Sequence, residues 1–581
     1  MSTSNKPQRI PYGVSNFVDL RERNMYYVDK TRFIPMLEEQ PDTLFFIRPR
    51  RFGKSLFLQM LCAYYDCNMK QRFNELFGDL WIGQHPTEGM GQYQVLFLDF
   101  SQVSGDINRL EEDFNDYCCV KFDGFMRKYA SYYSENTVKA VYATKNARQK
   151  LNAITDEALS VGHKLFLVID EYDNFTNTVL NELGEAVYHS ITHASGFYRD
   201  FFKKFKGTFN RILMMGVSPV TLDDVTSGFN IGWNITTNCK FNDLLGFNTN
   251  DVRALFGYYK EQGKLPADCD IEAVIEDMKP WYDNYCFSKE ALARDTRMFN
   301  CDMVLYFLRF YIDSGCPPRD MVDPNTKTDY NKMKRLLQLD HLDGDRKGVL
   351  KKIAEEGQVV ADLITSFPAT DLVKPEMFTS LLFYYGMLTI KGTFGDLYVL
   401  GIPNNNVRKQ YYHYLTEMYN IGSDARFSDA ALLLSRMALE GKWQDALTFI
   451  AQAYENNSAV RSGIEGERNL QGFMTAYLSL FNYYYVAPEL ELAHGYCDFF
   501  LLPDLTHYDT HHSYIIELKY LPSSTYAQKH EAQWGEAVGQ IRRYARAPRV
   551  EALRQGSQLH CIVMQFEGWT LRHMEEVETI Q

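Results

Sequence analysis

Between Leu44 and Tyr65 the chain passes from one kind of apolar pattern to another through a turn that few folds can use. Leu44-Phe-Phe-Ile47 reads as a buried strand, Arg48-Pro-Arg-Arg-Phe-Gly-Lys-Ser55 as a tight turn around Gly53, and Leu56 to Tyr65 as a helix. Strand, glycine turn, Lys-Ser and helix are the setting of a phosphate-binding loop. The main-chain N–H groups and the helix N-terminus attract phosphate oxygens, Lys54 reaches the β/γ-phosphates, and the Ser55 hydroxyl can hold Mg²⁺. Arg48, Arg51, Phe52, Gly53, Lys54, Ser55 and Leu56 are therefore the candidate nucleotide contacts. Arg48 stands where the general pattern opens on a glycine, so the entry to this loop is stiff and cationic.

Gly-Lys-Ser alone occurs by chance in many chains of this size, and its weight here comes from a second stretch. Lys164-Leu-Phe-Leu-Val-Ile-Asp170-Glu171 is an apolar run ending in two acids, the form of a buried parallel strand with carboxylates at its carboxyl end. Asp170 is placed to bind Mg²⁺ through water, and Glu171 to polarise the attacking water. A strand followed by a solvated acidic turn is the blander alternative, but both halves in order favour ATP hydrolysis. Gln94–Asp99 and Arg211–Gly216 add two more strands, separated by helical segments at 110–132 and 137–161. Strands alternating with helices predict an α/β domain with a parallel sheet covered on both faces.

Tyr27-Val-Asp29-Lys30-Thr31, the arginine-rich loop 48–55 and Asp170-Glu171-Tyr-Asp173 together resemble the AAA-ATPase-like proteins of gut and other anaerobic bacteria. That family shares the departure at Arg48, and the resemblance covers nearly the whole chain. It implies an N-terminal ATPase followed by a domain of the PD-(D/E)XK nuclease superfamily. Ile10-Pro-Tyr-Gly13 and Tyr26–Lys30 would then flank the adenine, or simply pack on the sheet. Ser218 falls where related ATPases keep a polar residue that reads the γ-phosphate. Spacing selects neither Arg199 nor Arg211 as an arginine finger. From about Asn248 the pattern turns helical (251–262, 271–278, 302–314, 333–339), a lid over the nucleotide in this reading. Trp281-Tyr-Asp-Asn-Tyr285 resembles the family's Trp-Tyr-x-Gly-Tyr turn, with Asn284 at the glycine. Helix 375–385, strands 387–390 and 397–400 and helix 406–419 give a winged-helix-like order, without a Lys/Arg-rich recognition helix. Amphipathic helices over 427–457 end at a boundary near Ser458.

The last 120 or so residues carry a different chemistry. A helix from about Glu467 is followed by strands 484–491, 496–502 and 513–519, by a helix carrying Ala537-Val-Gly-Gln540, and by a strand at 559–564. If the second and third strands pair antiparallel, Asp498 meets Glu517 and Lys519 at one end of a hairpin. Glu517 and Lys519, two apart, share a face. Asp…Glu-x-Lys resembles the PD-(D/E)XK signature. The resemblance implies that Asp498 and Glu517 hold Mg²⁺ with the Leu518 carbonyl, and that Lys519 orients or deprotonates water. It also matches Glu467 to an acid on the first helix and Gln540 to a glutamine after the third strand. Many relatives have Gly-Arg-x-Asp where this chain has Gly495-Tyr-Cys-Asp498, so Arg542, Arg543 and Arg546 are the alternative phosphate contacts. A surface ion pair is the competing reading of Glu-Leu-Lys, and a solvated loop that of His511-His512.

With 581 residues, 45% hydrophobic and 23% charged, the chain is globular and too long for one core. A net charge of −13 argues against non-specific coating of nucleic acid, so contact must come from local basic patches. Eleven cysteines without a C-x-x-C pair suggest neither zinc nor a disulfide framework. No signal core or membrane-length run is visible, which predicts a cytoplasmic protein off the membrane. The expected layout is a P-loop AAA-like ATPase domain (1–247), a helical lid with a winged-helix-like module (248–457) and a restriction-endonuclease-like α/β domain (458–581). The expected cofactors are ATP and Mg²⁺, and the expected partner is nucleic acid, in particular DNA. The sequence leaves open a homo-oligomer, and also a nucleotide switch or scaffold whose nuclease-like domain binds without cleaving.

Overall fold

The computed structural model describes residues 6–578 apart from 104–108, 176–195, 206, 220–231, 295–296, 319, 324–345, 366–374, 420–426, 457–465, 482, 493–494 and 506–507. The chain forms two compact units, one of residues 1–316, 322–346 and 360–404, the other of residues 317–321, 347–359 and 405–581.

The first unit is built on strands β1 (Thr43–Ile47), β2 (Tyr93–Asp99), β3 (Lys164–Asp170), β4 (Arg211–Gly216) and a short β5 (Trp233–Asn234). Their order is β2-β3-β4-β1-β5 and every pairing is parallel. All of β1 is buried, and so is β3 except Lys164, as a sheet covered on both faces requires. The two-residue β5 offers no apolar run for a sequence to show. Because β4 lies between β1 and β3, the loop leaving β1 and the acids ending β3 stand one strand apart. The segment 137–161 is two helices, Glu135–Ala143 and Ala147–Val161, because the Asn146 side chain accepts from Gln149 N–H and caps a new start. Trp281 and Tyr282 close the helix Ile271–Tyr282 rather than lying in a turn. Asn284 follows with φ 76°, the left-handed conformation that glycine serves in the motif and that asparagine tolerates better than most residues. The helix expected over 333–339 lies outside the described residues. Helix Pro375–Tyr384 leads into the hairpin β6 (Thr389–Phe394) and β7 (Leu397–Gly401); the next helix, Asn405–Met418, belongs to the second unit.

The second unit holds β8 (Tyr484–Leu492), β9 (Gly495–Pro503), β10 (His512–Leu521), β11 (Gln558–Glu567) and β12 (Thr570–Glu576), in the order β12-β11-β10-β9-β8. Only β10 and β11 pair in parallel, and the long helix Ser523–Ala545 makes their crossover. Ala537, Ile541 and Tyr544 of that helix are buried in one cluster with Phe500, Ile515 and Val563 of the sheet. The edge strand β12, Thr-Leu-Arg-His-Met-Glu-Glu, is too polar to stand out as a strand in the sequence. Among the described residues no helix is long and apolar enough to cross a membrane.

Arg48 corrects one expectation. It is 0% exposed and does not line the cavity described below. Its guanidinium donates to the carbonyls of Ile47 (2.9 Å), Thr236 (2.8 Å) and Phe241 (2.9 Å) and lies between the rings of Phe46 and Phe287. Burial pulls its pKa down to about 9. A planar group with five donors can satisfy several carbonyls at once and still present two apolar faces to rings. Arg48 therefore braces β1, residues 236–241 and the Tyr285–Phe287 segment around the base of the loop. Arg48→Met keeps the bulk and strands three carbonyls. It should destabilise the unfolding transition of the first unit, followed in the full-length protein, by about 2–4 kcal/mol in urea, and an unchanged midpoint would show that the brace is dispensable.

Candidate active sites

The loop after β1 turns on two left-handed residues, Arg51 (φ 65°) and Gly53 (φ 89°), and Gly53 is the N-cap of helix α1 (Lys54–Tyr65). This alternation curls main-chain N–H groups into a concave cradle for anions. Lys54 is buried, and its ammonium donates to the carbonyls of Arg48 and Pro49, both at 3.0 Å. The Ser55 hydroxyl donates to Asp170 Oδ2 at 2.6 Å across the width of β4, and Asp170 Oδ1 accepts from the Glu171 N–H at 3.0 Å. Glu171 itself has φ 51°, an uncommon conformation for a glutamate. Burial pushes the Asp170 carboxyl up to about 6, against the pull of the Ser55 hydroxyl. A dry carboxylate beside a serine hydroxyl suits a hard cation, which would supply the missing positive charge.

Arg51, Phe52, Gly53, Lys54, Ser55, Leu56 and Glu171 all line one cavity of about 290 Å³. Pro11, Gly13, Tyr26, Tyr27 and Val28 line it too, so the N-terminal segments share the space with the loop. Ser218 does not. It is fully buried, its N–H donates to Asp173 Oδ2 at 2.7 Å, its carbonyl accepts from Tyr172, and its side chain bonds with Tyr385. The buried carboxylate of Asp173 accepts from the Val217 and Ser218 N–H groups in the turn after β4. Asp302 and Cys301, on the cavity wall, were not legible beforehand: they lie about 250 residues from the loop in no motif.

In the second unit Phe499 pairs with Ile516 and Phe500 with Ile515, and continuing that register sets Asp498 opposite Glu517. Asp498 Oδ2 accepts from the Leu518 N–H at 2.7 Å, and Lys519 donates to Glu517 Oε1 at 2.7 Å. Glu517 Oε2 is buried without a hydrogen-bond partner, as is Gln540 Oε1 on the crossover helix. Glu467, exposed at the start of helix Glu467–Leu478, is close enough to act on the charges of Asp498, Glu517 and Lys519. Asp498, Glu517, Lys519 and Glu467 thus converge. Burial and then the Glu517 charge push Asp498 up to about 7, and burial raises Glu517 as well. Burial alone would lower Lys519, but its contact with Glu517 prevails and raises it. Two acids held above their ordinary range and an orphaned carboxylate oxygen fit a divalent cation. Among the described residues no three His, Cys, Asp or Glu side chains form a metal cage, which leaves two carboxylates and the Leu518 carbonyl as the candidate protein ligands. Tyr544, one turn beyond Gln540, also feels the charges of Glu517 and Lys519; its i,i+4 spacing was the available signal for it.

Residues 11–226 match the family described as Predicted AAA-ATPase, and residues 465–576 match the PD-(D/E)XK nuclease superfamily. The matched part of the first unit is thus similar to an AAA-ATPase, and that of the second to a PD-(D/E)XK nuclease domain. A protein of Azotobacter chroococcum mcd 1, titled "Uncharacterized protein in vnfD 5'region", is 25% identical over 324 residues, which are 53% of this chain and 55% of that one. The chain thus spans about half the length of the curated relative it matches. Both matched regions contain their expected site residues: 48–56, 170, 171 and 218 fall in the ATPase-like match, and 467, 498, 517, 519 and 540 in the PD-(D/E)XK match.

The PD-(D/E)XK domain keeps its acids at a cost to stability. The Asp498 carboxyl ionises at about 7 in the fold against an ordinary 3.8, so folding favours its protonated form. The stability this group gives at acid pH is lost as pH rises from about 4 through about 7. Asp498→Asn keeps an acceptor for the Leu518 N–H. In the metal-free protein at pH 8 it should be more stable than the parent by about 1–2 kcal/mol, allowing for solvent screening. The gain should shrink toward pH 5. Equal stability at both pH values would contradict this electrostatic picture.

Proposed function

We infer that the protein is an ATP-hydrolysing, Mg²⁺-dependent nuclease that cleaves DNA under nucleotide control. In the ATPase-like domain, Lys54 exchanges its loop carbonyls for phosphate oxygens. Ser55 and Asp170 hold Mg²⁺, which when bound spreads the charge of the β- and γ-phosphates. Glu171, on the cavity wall, aligns water for attack on the γ-phosphorus as the bond to ADP breaks. In the PD-(D/E)XK domain, Asp498 and Glu517 hold the ion, Lys519 aligns the attacking water, and Gln540 and Glu467 border the phosphodiester. An unregulated nuclease endangers its own cell, which gives a nucleotide-controlled partner domain a use. None of the eleven cysteines is in a disulfide, which agrees with a reducing cytoplasm.

One observation carries the nuclease reading over a domain that only binds: Glu517 Oε2 is buried and unpartnered beside a raised Asp498 and a charged Lys519. A surface ion pair has no reason to bury an orphan oxygen, which costs about 1–3 kcal/mol. Glu517→Ala and Lys519→Ala should each lower DNA cleavage by on the order of 10² to 10⁴, and metal binding should survive in Lys519→Ala alone. In both, ATP turnover without nucleic acid should match the parent. Conversely, Lys54→Ala should weaken ATP binding, whereas Glu171→Gln should bind ATP and fail to turn it over. Parental cleavage by Glu517→Ala would sink the nuclease assignment, and parental hydrolysis by Glu171→Gln the assignment of the water-aligning acid.

A further inference from the structure

The Arg51 guanidinium pairs with Asp302 Oδ2 at 2.8 Å. Both side chains are only partly buried, at 23% and 21% exposure, and both line the cavity with Lys54, Ser55 and Glu171. Asp302 lies in the first turn of helix α2 (Cys301–Ser314), whose N-cap is Asn300. The main chain of the loop is tied to the same helix end. Cys301 Sγ donates to the Arg51 carbonyl at 3.1 Å, and Asn300 Nδ2 to the Arg50 carbonyl at 3.4 Å. The backbone of Arg51 is thus held, in a left-handed conformation, while its side chain reaches Asp302 through a partly buried contact. A pair still open to the cavity can exchange one anion for another that binds the guanidinium more strongly.

A carboxylate on the wall of a phosphate cavity works against its anionic ligand. It repels phosphate, neutralises the helix N-terminus that would attract phosphate, and engages an arginine that would bind it bidentately. We propose that Arg51 and Asp302 form a phosphate-displaceable latch: Asp302 stands in for phosphate until nucleotide binds, and ATP takes Arg51 from it. The exchange moves a side chain and leaves the loop backbone in place. Asp302 is accordingly a positioning residue that sets nucleotide affinity from below, and the release of the first turn of α2 reports occupancy to the rest of that helix. The latch rests on the nucleotide-site reading given above.

A latch and a simple staple make opposite predictions. If the pair only stiffens the loop, removing either partner weakens nucleotide binding. If it is a latch, the two variants move in opposite directions. ATP affinity measured by equilibrium dialysis on the full chain with Mg²⁺ should fall about tenfold in Arg51→Ala. It should rise on the order of three- to tenfold in Asp302→Asn. Asp302→Glu, which keeps the charge, should stay within about twofold of the parent, and thermal melts of all three establish that they are folded. Weaker or unchanged binding in Asp302→Asn while the parent binds ATP overturns the latch alone. No ATP binding by the parent removes the nucleotide site itself, and the latch with it.

Discussion

A buried guanidinium holding three carbonyls is the contact on which the first unit's active region depends. Arg48 ends β1, the strand that feeds the phosphate loop, and its planar group reaches Thr236 and Phe241 while its faces lie on Phe46 and Phe287. The turn that follows must hold Arg51 and Gly53 in left-handed conformations. A glycine at position 48 would leave the loop entry free to move. An arginine there fixes it from below and leaves Arg51, three residues on, to line the cavity.

Sheet order does the rest. With β4 between β1 and β3, Ser55 at the start of α1 reaches Asp170 at the end of β3, and Glu171 turns into the cavity. This much was legible in the sequence, because buried parallel strands are runs of apolar residues and their carboxyl ends announce themselves as polar breaks. The contributions of Arg48, Ser218 and Asp302 were not. Motif position places all three near phosphate or says nothing of them, whereas the outcome is decided by partners far along the chain: Thr236 and Phe241 for Arg48, Asp173 for Ser218, Arg51 for Asp302. Asn284 shows the reverse case, in which a departure from a motif glycine conceals the same backbone conformation.

The second unit was more readable. Antiparallel register and period-two alternation fix where Asp498, Glu517 and Lys519 meet once the strands are found, and hydrogen bonds at 2.7 Å bear out that convergence. The missing strand β12 is polar because it is an edge, where one face meets water. What a sequence cannot carry is the energetic state of the site. Asp498 at about 7 and the orphaned oxygens of Glu517 and Gln540 follow from burial, which only the folded sheet and its crossover helix create. The same features that weaken the metal-free fold are those on which the proposed cation and phosphodiester binding rests.

The central claim joins two chemistries in one chain, and a single assay addresses it directly. Purified protein is incubated with plasmid DNA while ATP and Mg²⁺ are varied independently, and the strands are resolved by electrophoresis. The account predicts no cleavage without Mg²⁺, and with Mg²⁺ a rate that changes when ATP is added. Intact plasmid under all four conditions, or Mg²⁺-dependent cleavage at one rate with and without ATP, would contradict it.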